Sequence, residues 1–329
     1  MAESVKGNDL IDEKTARSWE SEQRKLKEEL VDHDTETWQS DGPPFSDLHY
    51  IGGVDISFVK TSTSLACVSL IVCSFPDLEV VYEDCQTIHM TQPYISGFLA
   101  FREVPFFMER LDRLRDTKPE LLPQIIFVDG NGILHPRGFG TACHLGVLSG
   151  IPTVGIAKKL TQIDNIQKDE EHAHKVSVLR GGESFDLIGE SGKTWGKALR
   201  SCEKTINPIY VSVGHRISVE TAIILVQVCC QYRIPEPVRQ ADMRSREYLR
   251  QTFPEHYPAS SSGGKKAAQK HRKKDPDGAL GKTEGQKRME ESCDGEDDEE
   301  LRKENNDIEP VKLQGDGDRR STESGSPSS

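Results

Sequence analysis

The chain has 329 residues, 35% of them hydrophobic, and a formal net charge of −12. That length suits one larger α/β domain with appendages, and the acidic balance gives no global basic field of the kind that announces a nucleic-acid binder. No run approaches the ~18 consecutive apolar residues of a membrane span, and Met1–Asp12 lacks the apolar stretch of a secretory leader, so the cytosol or nucleus, the nucleolus included, is the expected compartment.

The 72 residues from Pro258 to Ser329 contain no Phe, Trp or Tyr and carry 14 basic and 17 acidic residues, which leaves −9 on the rest. Such a composition buries too little apolar surface to offset the entropy of ordering. The expected organisation is a flexible segment over 1–12, a folded domain over 13–254 and a disordered charged tail over 255–329. Within the tail, Lys265–Lys274 (KKAAQKHRKK) reads as a nuclear address, an RNA-grazing arm or a solvated charge run. The eight cysteines form no CxxC pair and mostly lie in apolar runs, so buried thiols are expected rather than a zinc site.

In chain order, Glu13–Thr37 is charged, with Trp19, Leu26 and Leu30 at helical spacing, and predicts an amphipathic helix outside the core. Three strand-like runs follow, Tyr50–Val59, Ser64–Ser74 and Leu78–Ile88, joined by short connectors that suit antiparallel hairpins. A helix is predicted over Pro105–Asp116, and then a buried strand, Gln124–Val128, which ends in Asp129-Gly130-Asn131-Gly132. Beyond it come a small-residue helix (Thr141–Ser149), a short strand (Pro152–Ala157), two β-like runs (Lys175–Arg180 and Phe185–Gly189), a strand (Ile209–Val213) and a helix (Ser218–Cys230). A last helix starts after Pro235 and Pro237, with Val238, Ala241 and Leu249 toward the interior. Three meandering strands, a helix, then strand–helix–strand is the order of a mixed sheet covered by helices on both faces, an α/β fold matching the ribonuclease H-like plan.

Chemistry enters with the acids. Asp55 interrupts an apolar strand and Asp129 ends another, and a carboxylate in either setting costs several kcal/mol unless something pairs with it. Carboxyl ends of α/β strands are where ligands bind, and oxygen-only donors favour magnesium or manganese. Spacing alone fits equally well a pair of unrelated acids, one in an ion pair and the other capping a turn. Glu103 (FREVP) is predicted just ahead of a helix that Pro105 opens, and Asp242 lies near the start of the last helix; singly, each also fits an ordinary solvated acid.

Two strings take a plain structural reading. Gly189–Thr194 (GESGKT) suggests a phosphate loop, but its first glycine lies three positions before Gly192 instead of five, so a hairpin turn is expected. Gly138–Cys143 (GFGTAC) lacks the last glycine of a dinucleotide fingerprint and suits close helix–sheet packing. His215, between a strand and a helix, is read either as a phosphate-positioning residue or as a structural histidine.

Six ordered motifs carry a resemblance: GGVDIS at 52–57, PYISGFLAFRE at 93–103, FVDGNGILHPRGFGTACHLGV at 127–147, GIAKK at 155–159, VSVGHRIS at 211–218 and EPVRQAD at 236–242. Over about residues 13–250 the chain resembles endonuclease V, the inosine-directed nuclease, in its eukaryotic form. The resemblance implies that Asp55 and Asp129 bind a catalytic magnesium, with manganese as a substitute, and that Glu103 is the third acid, reaching the metal directly or through water. It implies further that Lys158 contacts phosphate and that Tyr94 tips a strand-separating wedge. Gly97 and Leu99 on one side and Gly130 on the other would receive the flipped hypoxanthine. Ser96 and Asp242 depart from the bacterial pattern, which commonly has Pro and His there, so wedge rigidity and the proton-handling role of Asp242 are less defined. The expected activity is Mg-dependent cleavage of inosine-containing single-stranded RNA by a monomer, at the second phosphodiester 3′ to the inosine, leaving 3′-hydroxyl and 5′-phosphate ends. The alternatives are a deoxyinosine-directed DNA repair endonuclease and an inosine-RNA binding protein without turnover.

Overall fold

The computed structural model describes residues 2–40 and 42–257, with side chains from residue 13 onward. The tail, with Lys265–Lys274 and Cys293, lies outside the described residues. The elements are α1 (Ala2–Glu28), α2 (Thr37–Ser40), β1 (Tyr50–Phe58), β2 (Leu65–Ser74), β3 (Val80–His89), α3 (Ala100–Thr117), β4 (Ile125–Asp129), α4 (Thr141–Ser149), β5 (Thr153–Ala157), α5 (Glu170–Val178), β6 (Ser184–Ile188), β7 (Thr194–Leu199), β8 (Ile209–His215), α6 (Val219–Val228) and α7 (Glu236–Thr252).

Eight strands form one sheet in the order β3-β2-β1-β4-β5-β8-β7-β6. β1, β2 and β3 are an antiparallel meander; β4 and β5 run parallel to β1; β8 turns back against β5. The arrangement is the ribonuclease H-like mixed sheet with helices on both faces. Alternation along β1 and β4 assigns the two cores. Val54, Ile56, Ile126 and Val128 meet Val104, Phe107 and Leu111 of α3, whereas Ile51 and Phe127 belong to the opposite core with Ala222 and Leu225 of α6 and Val238 of α7.

The local signals explain most boundaries. Ser218 caps α6 by accepting the Thr221 N–H, Gly150 ends α4 in the left-handed conformation, and Pro237 lies in the first turn of α7. The Gly189–Thr194 string is the hairpin between β6 and β7, closed by the Gly189 N–H donating to the Lys193 carbonyl.

Several expectations fail for tertiary reasons. α1 begins at Ala2, within the segment expected to be flexible, and stops at Glu28 instead of running from Glu13 to Thr37, because the residues after it are fixed elsewhere: the Arg216 N–H donates to the Val31 carbonyl, and Asp34 accepts from Ser218 and Thr221. Lys175–Arg180 is not a strand. Asp169 caps a helix there by accepting the His172 N–H, Lys175 pairs with Glu171 at 2.7 Å, and buried His172 anchors the helix against Phe185 and Tyr210. β7 escapes sequence reading because its opening residues belong to a turn-like string. α3 begins at Ala100, not at Pro105, so Glu103 lies in its first turn rather than ahead of it. Buried Phe98 and Ala100, with the Phe101 ring between Trp19 and His144, hold that additional turn in place.

Gly53 permits the close approach of α7 to β1. A Cβ on Gly53 would come within 2.0 Å of the Pro237 carbonyl oxygen, so only glycine lets the helix start seat against the strand. We expect Gly53→Ala to lower stability by roughly 1–3 kcal/mol, read by urea unfolding. A variant as stable as wild type would show that α7 does not depend on this contact.

Candidate active site

Register brings the two central acids together. β1 and β4 are parallel, with Val54 opposite Val128, and the next residues along are Asp55 and Asp129. Since Val54 and Val128 both face α3, Asp55 and Asp129 both face α7, from strands about 4.8 Å apart. Asp129 is in turn opposite Ile156 of β5, and two residues further, on the same face, stands Lys158. Its Nζ donates to Asp129 Oδ2 at 2.8 Å.

Asp55 is 4% exposed, and its Oδ2 lies 3.1 Å from the Ser57 hydroxyl and 3.2 Å from that of Ser245 on α7. The two hydroxyls are 2.7 Å apart and form one buried network around the carboxylate. Ser69, opposite Asp55 on β2, donates to the Ala241 carbonyl at 3.0 Å and ties α7 to the sheet beside the acid. Asp242 is held by Arg246, one turn further along α7, at 3.0 Å. Burial alone would lower the Lys158 pKa, but Asp129, Asp242 and Asp55 together hold its ammonium above the ordinary lysine range. Four of the expected residues thus share one electrostatic site: Asp55, Asp129, Lys158 and Asp242.

Glu103 reaches this end of the sheet from the other face. β3 runs parallel to β1, so the loop that leaves it after His89 starts at the carboxyl ends of β1 and β4 and delivers the first turn of α3 there. Glu103 is half-buried in that turn. The same loop carries Tyr94 and Leu99, which are 38% and 39% exposed, and Gly97, whose φ of 82° favours glycine. The Arg102 guanidinium lies 5.7 Å from the Tyr94 ring centroid. Gly130 directly follows Asp129, and its N–H donates to the Ile156 carbonyl.

His215 does not belong to this site. It is opposite Thr153, at the amino end of β5, about 16 Å of strand away from Lys158. The ring is 6% exposed and its Nδ1 accepts the Val31 N–H at 3.3 Å, a structural role that fixes the segment after α1. Ser57, Ser245 and Arg246 join the site without having been expected there. Their signals are present in the sequence: Ser57 is two residues from Asp55 on a strand, and Ser245 and Arg246 follow Asp242 by three and four on a helix.

The donor chemistry fits a divalent cation. Three carboxylates face Lys158 and Arg246, a surplus of negative charge in a partly dry site, and all their donors are hard oxygens. Among the described residues no three His, Cys, Asp or Glu side chains already form a metal cage, so the fit rests on the neighbouring pair Asp55 and Asp129 and on that surplus. The cysteines take no part; Cys73 and Cys143 are buried thiols whose pKa burial pushes up to about 12.

A ribonuclease H-like sheet with carboxylates side by side on its central parallel strands defines a class of phosphodiester-cleaving enzymes. The sequence model of endonuclease V matches residues 25–243. Endonuclease V of Mus musculus is 51% identical over 294 residues, covering 88% of this chain and 86% of the relative, and that of Homo sapiens is 54% identical over 242 residues, covering 73% and 86%. The crystal structure of the human catalytic domain superposes with a TM-score of 0.72 at 53% identity, over 74% of this chain and 98% of that one. Endonuclease V of Ciona intestinalis, crystallised with a 23mer DNA containing an inosine followed by a ribo-adenosine, gives 0.66 at 36% identity over 73% and 98%. The chain belongs to the endonuclease V family of nucleases.

Two buried histidines should make the fold acid-sensitive. Burial, then Arg216, pushes His215 down from 6.5 to about 4; burial does the same to His144. Between those pH values the unfolded chain binds more protons than the folded one, so stability is lost as pH falls, by up to about 1.4 kcal/mol per pH unit for each histidine. We expect His215→Asn, which keeps an acceptor for Val31, to flatten this dependence in urea unfolding at pH 7.5 and 5. Parallel curves for variant and wild type would contradict it.

Proposed function

We propose that this chain is a magnesium-dependent endoribonuclease directed to inosine in single-stranded RNA, acting as a monomer in the cytosol or nucleus. The observation that carries the reading is the side-by-side register of Asp55 and Asp129, with Lys158 and Asp242 facing them. Asp55 and Asp129 would hold the ion, with Glu103 as the third acid; manganese would serve in its place. When bound, the ion stabilises negative charge on the scissile phosphate and on the leaving oxygen.

The chain's own residues do the rest. Glu103 orients the attacking water and accepts its proton. Lys158, held by Asp129, supplies a positive charge to the phosphate, and Ser57 and Ser245 keep the Asp55 carboxylate in a single orientation. Water oxygen bonds to phosphorus as the P–O3′ bond breaks; the O3′ takes up a proton, giving 3′-hydroxyl and 5′-phosphate ends. Asp242, clamped by Arg246, acts on proton balance near the leaving side. Tyr94 wedges into the strand, while Gly97, Leu99 and Gly130 receive hypoxanthine one nucleotide away from the bond that is cut. Following the family resemblance, cleavage falls at the second phosphodiester 3′ to the inosine.

Deoxyinosine DNA is the second reading, supported by the inosine-containing DNA bound to the Ciona relative. The ribo-adenosine that follows inosine in that strand favours RNA, because it supplies a 2′-hydroxyl beside the base that is read.

The test compares labelled inosine RNA, deoxyinosine DNA and unmodified RNA, with Mg²⁺ and then with EDTA. Inosine RNA should be cut fastest, EDTA should abolish the cut, and Asp55→Ala should lower turnover by about a thousandfold or more. Faster cleavage of the DNA strand would favour repair, and binding without any metal-dependent cut would leave an inosine reader. Tyr94→Ala is expected to raise KM by roughly tenfold through lost stacking, with metal affinity measured by calorimetry unchanged. Unaltered kinetics on every strand would remove the wedge role.

A further inference from the structure

Gln23 is 3% exposed on a helix whose neighbouring residues are mostly solvent-facing. Its Nε2 donates to the Phe139 carbonyl at 3.0 Å and to the Gly97 carbonyl at 3.4 Å, so one amide joins two loops that are far apart in sequence. The first is the loop that carries Tyr94, Gly97 and Leu99; the second is the segment that runs from Asp129 and Gly130 to α4.

Three further residues of α1 reinforce the same junction. Trp19 stacks on Phe101 with centroids 5.1 Å apart. Glu20 pairs at 3.0 Å with Arg137, whose guanidinium lies 4.4 Å from the Phe98 ring centroid. Lys27 donates to the Arg137 carbonyl at 2.7 Å. Residues 19, 20, 23 and 27 fall on one helix face by their three- and four-residue spacing. Trp19, Glu20 and Gln23 precede the residues that the endonuclease V sequence model matches.

We propose that α1 is a strap that fixes the separation of the two walls of the hypoxanthine pocket, and that Gln23 is its positioning residue for base discrimination. The inference rests on the reading of Gly97, Leu99 and Gly130 as those walls. A site that reads a base with main-chain groups must hold its loops to a fraction of a hydrogen-bond length, because guanine differs from hypoxanthine by a single amino group that only a closed wall excludes. Gly97 has a backbone that many conformations suit, and its position is set from outside by the bond to Gln23. Gln23 acts through the main chain of both loops.

The test uses the full chain and strands identical except for inosine, guanosine or an abasic site at one position. Gln23→Met keeps the side-chain length and removes the donor; Gln23→Lys restores a donor. For Gln23→Met we expect KM on the inosine strand to rise about tenfold, the value of one buried hydrogen bond, with kcat within about twofold. The inosine-over-guanosine preference should fall by a similar factor, binding of the abasic strand should not change, and Gln23→Lys should recover most of the preference. Equal losses on inosine, guanosine and abasic strands, or unchanged KM and preference in a folded variant, would overturn the strap. If Gln23→Met does not fold, Glu20→Gln, which loosens Arg137 and leaves Gln23 in place, carries the measurement: a reduced preference supports the strap and an unchanged one overturns it. Wild type without any preference for inosine would remove the pocket reading and the strap together; wild-type preference that survives intact in the variants removes the strap alone.

Discussion

Asp55, inside β1, and Asp129, at the end of β4, stand side by side on adjacent parallel strands, on one face of the sheet and largely out of water. Two carboxylates so placed repel each other, and burial removes the solvent that would screen them. The surroundings answer that cost in kind: the Lys158 ammonium at Asp129, the serine hydroxyls at Asp55, and Arg246 holding Asp242 beside them. These groups offset the charge only in part, and the oxygen donors that remain are of the kind that suits a hard cation.

That electrostatic arrangement also constrains the packing around it. α7 supplies Ser245 and Asp242, so it must lie close against β1 and β2, and Gly53 and Ser69 are the two residues that permit and fix its approach. On the opposite face α3 brings Glu103 to the same strand ends, carried by the loop after β3. The convergence of these acids at the switch from meander to parallel strands is therefore a consequence of topology, since strand ends and helix starts from both layers meet there.

A second constraint runs along α1. The helix is amphipathic, and Leu26 packs against the core, but the rest of its inward face is one tryptophan, one glutamine and charged residues that bond to backbone and to Arg137. Polar contacts of this type give little net stability and much specificity of position, since each buried donor accepts few alternative geometries. The segment after α1 is fastened in the same manner by His215 and Arg216 at the far end of the sheet.

Most of the strand and helix order, the small-residue helix at Thr141–Ser149, the hairpin at Gly189–Thr194 and the unusual settings of Asp55 and Asp129 were legible in the chain alone, because each depends on local periodicity, turn chemistry or the oddity of a charge in an apolar run. Folding in three dimensions was needed to establish that Asp55 and Asp129 are register neighbours, that His215 serves the opposite end, that Lys175–Val178 is helical and that Gln23 joins two loops. Strand register, the far end of a capped helix and the partner of a lone glutamine are settled by contacts between residues tens to more than a hundred positions apart, and no window along the chain contains both halves of such a contact.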